Sequence, residues 1–262
     1  MVNIHLFGSR GHLAKTKIIP ALKKYNVSGE MISRSEKTYL SKYVEQKNIM
    51  YMSIPSKYFL ENVEPYIDFI KENKPVFVIE KPHENTLIHK FAVEHNLKVL
   101  YNDHYVAKRD MLINEAPLVD LKNIDIILHE KGSGKSRKGY EGIFLDMYQS
   151  HSLLIIAKVL SMYYTYLSRT EILEELSFIK PFIVTQSENY CAISLIYNDI
   201  RINVSCGKEM PSNQKVVFVN GVEYMDLSDS DSYNTIIRWL LEDNTKMFLN
   251  NYEVELLWKH IS

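Results

Sequence analysis

The chain has 262 residues, with 31 Lys and Arg against 32 Asp and Glu, a formal charge of −1. Hydrophobic residues make up 46% and charged residues 24%, which is globular usage and excludes a disordered chain. Near-neutral charge supplies no general field for nucleic acid or an anionic membrane, so any anion site has to be built locally.

The N-terminus, Met1 to Ile4, lacks a basic n-region and reads as no signal peptide, so a cytoplasmic protein is expected. Val2 to Phe7 predicts a buried strand, and Leu13 to about Tyr25 a helix with apolar residues near helical spacing. Glu30 to Arg34 predicts a short second strand, and Asn48 to Pro55 a third, stopped by proline. Ser56 fits the N-cap of a helix to about Asn73. Pro75 to Lys81, a helix from about Asn85 to Glu94, and Leu97 to Asn102 follow. Strands separated by helices imply right-handed crossovers and a Rossmann-type, doubly wound parallel sheet over residues 1–115.

The rhythm then changes. Asn123 to Glu130 predicts a strand, a polar loop follows, and about Ile143 to Leu167 is helical. Four runs rich in β-formers come next: PFIVTQ, YCAISLIY, IRINVSC and KVVFVNGVEYM. No helix separates them, which predicts a smaller α+β domain over residues 116–262 with a mainly antiparallel sheet. A helix from about Tyr233 to Leu249 and a short final helix close the chain. The two cysteines, Cys191 and Cys206, are too few for a disulfide scaffold or a multi-cysteine zinc site. They read as free buried thiols, and no metal is expected. No apolar run approaches the roughly 18 residues of a membrane span.

Gly8-Ser9-Arg10-Gly11-His12-Leu13-Ala14 lies between the first strand and first helix. A dinucleotide pyrophosphate needs a turn without side-chain bulk, beside the free N–H groups of a helix N-terminus. Gly8 and Gly11 provide the room, and Ala14 permits close helix–strand packing. Arg34, flanked by Ser33 and Ser35, follows the second strand, where an arginine suits a ribose 2′-phosphate, so NADP is favoured over NAD. The loop GSGKS at 132–136 fails as a Walker A sequence because the required earlier glycine falls at His129.

Ligands of doubly wound sheets bind beyond the carboxyl ends of the strands. The fourth strand ends in Glu80-Lys81-Pro82 and the fifth in Asp103-His104-Tyr105, with Lys108 one turn into the next helix. Lys81, His104, Tyr105 and Lys108 form a donor set suited to a small dianion such as a sugar phosphate. Asp146 and His151 lie on the long helix five residues apart, off the α-helical i,i+4 spacing.

In this order the blocks resemble glucose-6-phosphate dehydrogenase. FGSRGHLAKTKIIPAL, SRS, YMSIP, EKP, NDHYVAK and GIFLDMYQSH carry the likeness, and SENYCAISL and CGKEMP continue it more weakly. The chain is shorter than a usual member. The resemblance implies oxidation of a sugar phosphate at C1 with NADP, NAD being the other possible cofactor. It implies that His151 is the general base, Asp103 its orienting carboxylate, and Lys108 a further active-site group. Gly8, Ser9, Arg10, Gly11, Leu13, Arg34, Pro55 and Lys81 would line the cofactor site. Lys81, His104, Tyr105, Lys108, Glu130, Asp146 and Lys208 would bind the sugar phosphate. A homodimer is expected. The alternatives are a related two-domain sugar oxidoreductase acting on another sugar or carbon, and a non-catalytic binder of nucleotide or sugar phosphate.

Overall fold

The computed structural model describes residues 2–33, 47–81, 86–113, 117–132, 142–229 and 231–259. The chain divides into two units, residues 1–104 with 233–254, and residues 105–232 with 255–262.

The first unit holds a five-stranded parallel sheet in the order β2-β1-β3-β4-β5. Its strands are β1 (Val2–Phe7), β2 (Met31–Ile32), β3 (Lys47–Met52), β4 (Val76–Glu80) and β5 (Val99–Asn102). Residues 3–7, 48–52 and 77–79 are all buried, because a strand covered on both faces has no polar side to show. A π-helical stretch (Ala14–Ile18) continues as α1 (Ile19–Lys24). The predicted helix over 56–73 is broken into α2 (Phe59–Val63) and α3 (Ile67–Asn73) by 3₁₀ turns, one carrying Pro65. Helix α4 (Thr86–His95) follows β4. Phe59, Phe77 and Phe91 pack against one another, Phe91 edge to face with both others and Phe59 tilted on Phe77, with ring centroids 5.4 to 6.2 Å apart.

A single cut near residue 115 does not describe this division, because the C-terminal segment returns to the first unit. Helix α8 (Ser232–Leu241) leads to Leu249, which exchanges two backbone hydrogen bonds with Tyr101 on the open edge of β5. Lys98 also donates to the Thr245 hydroxyl at 3.1 Å, and Lys47 pairs with Asp243. An edge strand needs such cover, since its outward N–H and C=O groups otherwise stay unpaired.

The second unit is built on a six-stranded sheet, β11-β10-β6-β9-β8-β7. The strands are β6 (Asn123–Glu130), β7 (Phe182–Gln186), β8 (Tyr190–Tyr197), β9 (Ile200–Lys208), β10 (Gln214–Val219) and β11 (Val222–Asp226). Its pairings are antiparallel except β6 with β9, which are parallel, so the sheet is mixed at its centre. Two-residue turns at Asn198-Asp199 and Asn220-Gly221 close two of its hairpins. Asn198, Asn220 and Gly221 take the positive φ such turns require. One sheet face, with Ile126, Val204 and Ile193 buried, is covered by the long helix. That helix is π-helical over Phe144–Ser152 and then α6 (Leu153–Tyr163), whose residues from 153 to 157 are all buried. Helix α5 (Arg109–Ile113) precedes β6, and α9 (Asn251–Lys259) ends the described chain. Helix α7 (Arg169–Ser177) was not anticipated, although its signal was present. Ser168 and Glu171 form a reciprocal capping box.

Among the described residues no helix is long and apolar enough to cross a membrane. Cys191 and Cys206 are free and buried, directly opposite each other on β8 and β9.

Candidate active site

The turn after β1 is drawn onto the end of β2. The N–H groups of Gly8 and Ser9 both donate to the Ile32 carbonyl, at 3.0 and 3.2 Å, and the Ser9 hydroxyl does so at 3.2 Å. Gly8 has φ +78°, and a Cβ there would lie 2.3 Å from the Ser53 carbonyl oxygen. No side chain fits, so glycine lets the turn after β1 pack its backbone directly against the end of β3. Gly11 follows, its N–H bonded to the Gly8 carbonyl at 2.8 Å, and the helix begins. A cavity of about 270 Å³ lies here, lined by Gly8, Arg10, Gly11, Ser33, Ile54 and Pro55 among others. Four expected cofactor residues, Gly8, Arg10, Gly11 and Pro55, therefore meet in one place. The Ser9 hydroxyl is turned away to Ile32, and Leu13 and Lys81 do not line this cavity. Arg34 lies outside the described residues, as do Pro82 and most of the GSGKS loop. The cradle at Gly8 and Gly11 fits a dinucleotide pyrophosphate on steric grounds.

The ends of β4 and β5 carry a polar network that sequence reasoning missed. The Tyr51 hydroxyl donates to Glu80 Oε2 and the Tyr233 hydroxyl to Oε1, each at 2.5 Å. Asn102 Nδ2 donates to Oε2 at 3.0 Å and to the Tyr51 hydroxyl at 3.1 Å. Burial pushes the Glu80 carboxyl above the usual range, and the three donors only partly offset this. Burial also holds the Tyr51 phenol well above its ordinary value, reinforced by the charge of Glu80. The next residue, Lys81, sits at φ +72° with its N–H on the Asn102 carbonyl at 2.9 Å. Asp103 is buried, and the His104 ring stacks on Tyr233 at 6.0 Å and 14°. The signal for Glu80 lay in the E-K-P block. Tyr51 and Tyr233 had none, since only the fold brings β3 and α8 to that carboxyl.

Tyr105 and Lys108 belong to the second unit, so the expected donor set is split between units. Lys108 precedes α5 instead of lying within it. Its ammonium donates to the Asp229 carbonyl and lies 5.9 Å from the centroid of the Tyr105 ring. Lys215, on β10, lies 5.7 Å from the same centroid. His151 is also a ring neighbour, with centroids 4.7 Å apart. Lys215 also pairs with Glu130 at 2.8 Å, and Lys208 pairs with Asp146. Burial alone would raise the Glu130 carboxyl, but the charges of Lys215, Lys208 and His151 outweigh it and hold it low. Glu130 and Lys208 are register partners on β6 and β9.

The π-helix resolves the awkward spacing of Asp146 and His151. Its ladder runs i to i+5, as where the Leu153 N–H reaches the Tyr148 carbonyl, so residues five apart come to one side. Asp146 meets Lys208 and His151 meets Tyr105 within the same unit. Lys215 was missed because nothing in KVVFV marks it apart from any strand-end lysine. Asp103 belongs to the first unit and His151 to the second.

No family model matches the chain, and no curated protein matches it in sequence. Solved structures do. A glucose-6-phosphate dehydrogenase in complex with glucose 6-phosphate is 15% identical, with a TM-score of 0.63 over 99% of this chain and 90% of that one. A glucose-6-phosphate 1-dehydrogenase from Mycobacterium avium is 12% identical, with a TM-score of 0.64 over 98% and 90%. The WlbA dehydrogenase from Thermus thermophilus, in complex with NAD and UDP-GlcNAcA, is 12% identical, with a TM-score of 0.59 over 100% and 94%. The fold is therefore that of the Rossmann-type, two-domain dehydrogenases. Within that class the chain resembles the glucose-6-phosphate dehydrogenases, as its sequence blocks do. It spans nine-tenths of two solved chains of that name, so shortness does not set it apart from them.

Proposed function

We propose that the protein is a nicotinamide-dependent sugar-phosphate oxidoreductase that oxidises glucose 6-phosphate at C1 to the 1,5-lactone, with NADP as cofactor. The observation that carries this reading is the cluster around Tyr105. Two ammonium groups, Lys108 and Lys215, stand over its ring beside His151, and two ion pairs, Glu130–Lys215 and Asp146–Lys208, hold further hydrogen-bonding groups ready. Lysines suit a phosphate dianion, and carboxylates accept from sugar hydroxyls.

The residues then take these roles. Gly8, Arg10, Gly11 and Pro55 hold the dinucleotide, with Ser9 and Leu13 shaping the turn, and Arg34 selects the 2′-phosphate. Lys81, His104, Tyr105, Lys108 and Lys215 bind the phosphate and orient the sugar. Glu130, Asp146 and Lys208 take its hydroxyls. Bound nicotinamide supplies the hydride acceptor for C1. His151 removes the O1 proton, and an imidazole suits that transfer because its ring nitrogen can accept a proton and later release it. Asp103, on the resemblance, is the carboxylate that steadies the imidazolium. Fixing sugar and base before reaction supplies much of the remaining advantage.

Absorbance at 340 nm with NADP or NAD and a panel of sugar phosphates tests the reading. Turnover of glucose 6-phosphate supports it, and no turnover of any sugar phosphate by folded protein refutes it. His151→Asn should lose most turnover and keep most sugar-phosphate affinity; full activity there refutes the base assignment. A second reading, a related oxidoreductase of another sugar, draws on the similar fold of the Thermus thermophilus enzyme, and NMR of the product separates the two. Binding by calorimetry without turnover would favour a non-catalytic binder.

We also propose a cytoplasmic homodimer. The second unit's sheet leaves one face open, with Ile196 exposed and with both signs of charge, Asp125 and Arg201, which a two-fold axis would make self-complementary. Sedimentation equilibrium of the wild type and of Ile196→Lys tests it; a monomeric wild type refutes it.

A further inference from the structure

The second unit carries another cleft, unrelated to the proposed chemistry. It is formed by the α6–α7 connection, α7 and the turn between β8 and β9, and its volume is about 450 Å³. Two tyrosine rings, Tyr164 and Tyr166, face it, and a third, Tyr197, is buried against Tyr164. Tyr164 leaves α6 at φ −92° and ψ 70°, its N–H still on the Leu160 carbonyl at 2.7 Å, and this exit turns the following residues back beside it. The Tyr164 ring stands 6.0 Å from Tyr166 at 82°, and 5.7 Å from Tyr197 at 64°. The rings meet edge to face: Tyr197 is buried against Tyr164, while Tyr166 stands out at the surface.

Two of these rings are pinned by other lining residues. Asn198 donates to the Tyr164 hydroxyl at 3.2 Å, and the Tyr197 hydroxyl donates to Glu175. At the mouth, Tyr166 and Phe178 are 77% and 81% exposed, an unusual placement for large aromatic side chains. Among the described residues the lining holds one carboxylate, Glu175, and no cationic side chain.

We propose that this cleft binds a small organic ammonium ion. Its alkylated head would lie against Tyr164 and Tyr166, with its charge beside Glu175 and an apolar remainder on Phe178. Ring faces carry negative potential and attract a cation, and a carboxylate adds to that field. An inorganic cation is too strongly hydrated to exchange its water for rings. A fully alkylated ammonium needs no acceptor, which suits a cleft whose Tyr164 and Tyr197 hydroxyls are already engaged. Tyr164 and Tyr197 are held by bonds within the protein, so on this side of the cleft the exposed Tyr166 is the ring to be ordered on binding.

The test is calorimetric titration of the full chain with choline and benzyltrimethylammonium, against the neutral isostere of choline, 3,3-dimethylbutan-1-ol. The expected result is saturable one-to-one binding of both cations at about millimolar concentration, with the neutral compound at least tenfold weaker. Tyr166→Ala, at an exposed ring, and Glu175→Gln, which keeps an acceptor for Tyr197, should each weaken binding at least fivefold. Thermal unfolding close to wild type confirms that both variants fold. Equal binding of the neutral isostere, unchanged binding in both folded variants, or no saturation by about 50 mM would overturn the proposal.

Discussion

Replacing Tyr51 by phenylalanine removes one hydroxyl from the interior of the first unit and leaves the ring in place. That hydroxyl donates to Glu80 Oε2 at 2.5 Å, and the tyrosine is fully buried. Burial raises the Glu80 carboxyl, while the Tyr51 hydrogen bond acts the other way by stabilising the ionised form. Because its folded-state pKa is raised, Glu80 contributes stability at low pH that is lost as pH rises through that pKa. The Tyr51 bond limits the loss, so its removal costs more where Glu80 is ionised. A hydrogen bond to a charged group contributes about 2 kcal/mol and one between neutral groups about 1 kcal/mol. Tyr51→Phe should therefore lower stability by about 1 kcal/mol at pH 4 and by about 2 kcal/mol above the raised Glu80 pKa. For a chain of this size the larger figure moves Tm by roughly 4–8 °C. Paired thermal unfolding of wild type and variant in steps from pH 4 upward measures this. In a Glu80→Gln background the cost of Tyr51→Phe should be about 1 kcal/mol throughout. A cost that stays flat over the whole pH range in which the protein folds, or a rise that persists in the Glu80→Gln background, refutes the reasoning.

Lys215→Met leaves Glu130 without its ion-pair partner and should destabilise by about 1–3 kcal/mol at neutral pH. The Glu130 carboxyl is held low, so its contribution exists above the ordinary glutamate pKa and fades in acid. Denaturant melts should show the difference between variant and wild type shrinking below about pH 4. Gly8→Ala forces a Cβ onto the Ser53 carbonyl at positive φ and should cost about 1–3 kcal/mol, read by thermal unfolding, and weaken nucleotide binding, read by calorimetry. His5 is buried and its pKa is lowered by that burial. The unfolded chain therefore binds the proton first, and stability falls as pH drops through about 6.5. His5→Gln should flatten that part of the profile. Both thiols are fully buried, so a thiol reagent should react with neither until the protein unfolds, when it should count two.

The alternation of apolar strands with amphipathic helices was local information, and it determined the parallel sheet of the first unit. So were the two glycines after β1 and the Asn-Gly turn, because each is a backbone requirement met by the residue itself. The DHY, EKP and DMYQSH blocks were equally visible, since their chemistry is carried by neighbours in sequence. Only the tertiary structure decided the rest. The parallel pairing of β6 with β9 depends on which strands flank β6 after a long excursion through two helices. The return of residues 233–254 to the edge of β5 depends on a strand edge in need of cover, which no local pattern announces. The π-helical ladder that aligns Asp146 with His151 is a matter of hydrogen-bond register, and five residues read as α-helix put them on different sides. Tyr51, Tyr233 and Lys215 reach their carboxylates across 29, 153 and 85 residues of sequence. A single tyrosine or lysine in a strand or helix carries no mark of such a partner, because the burial that makes the contact matter exists only after folding.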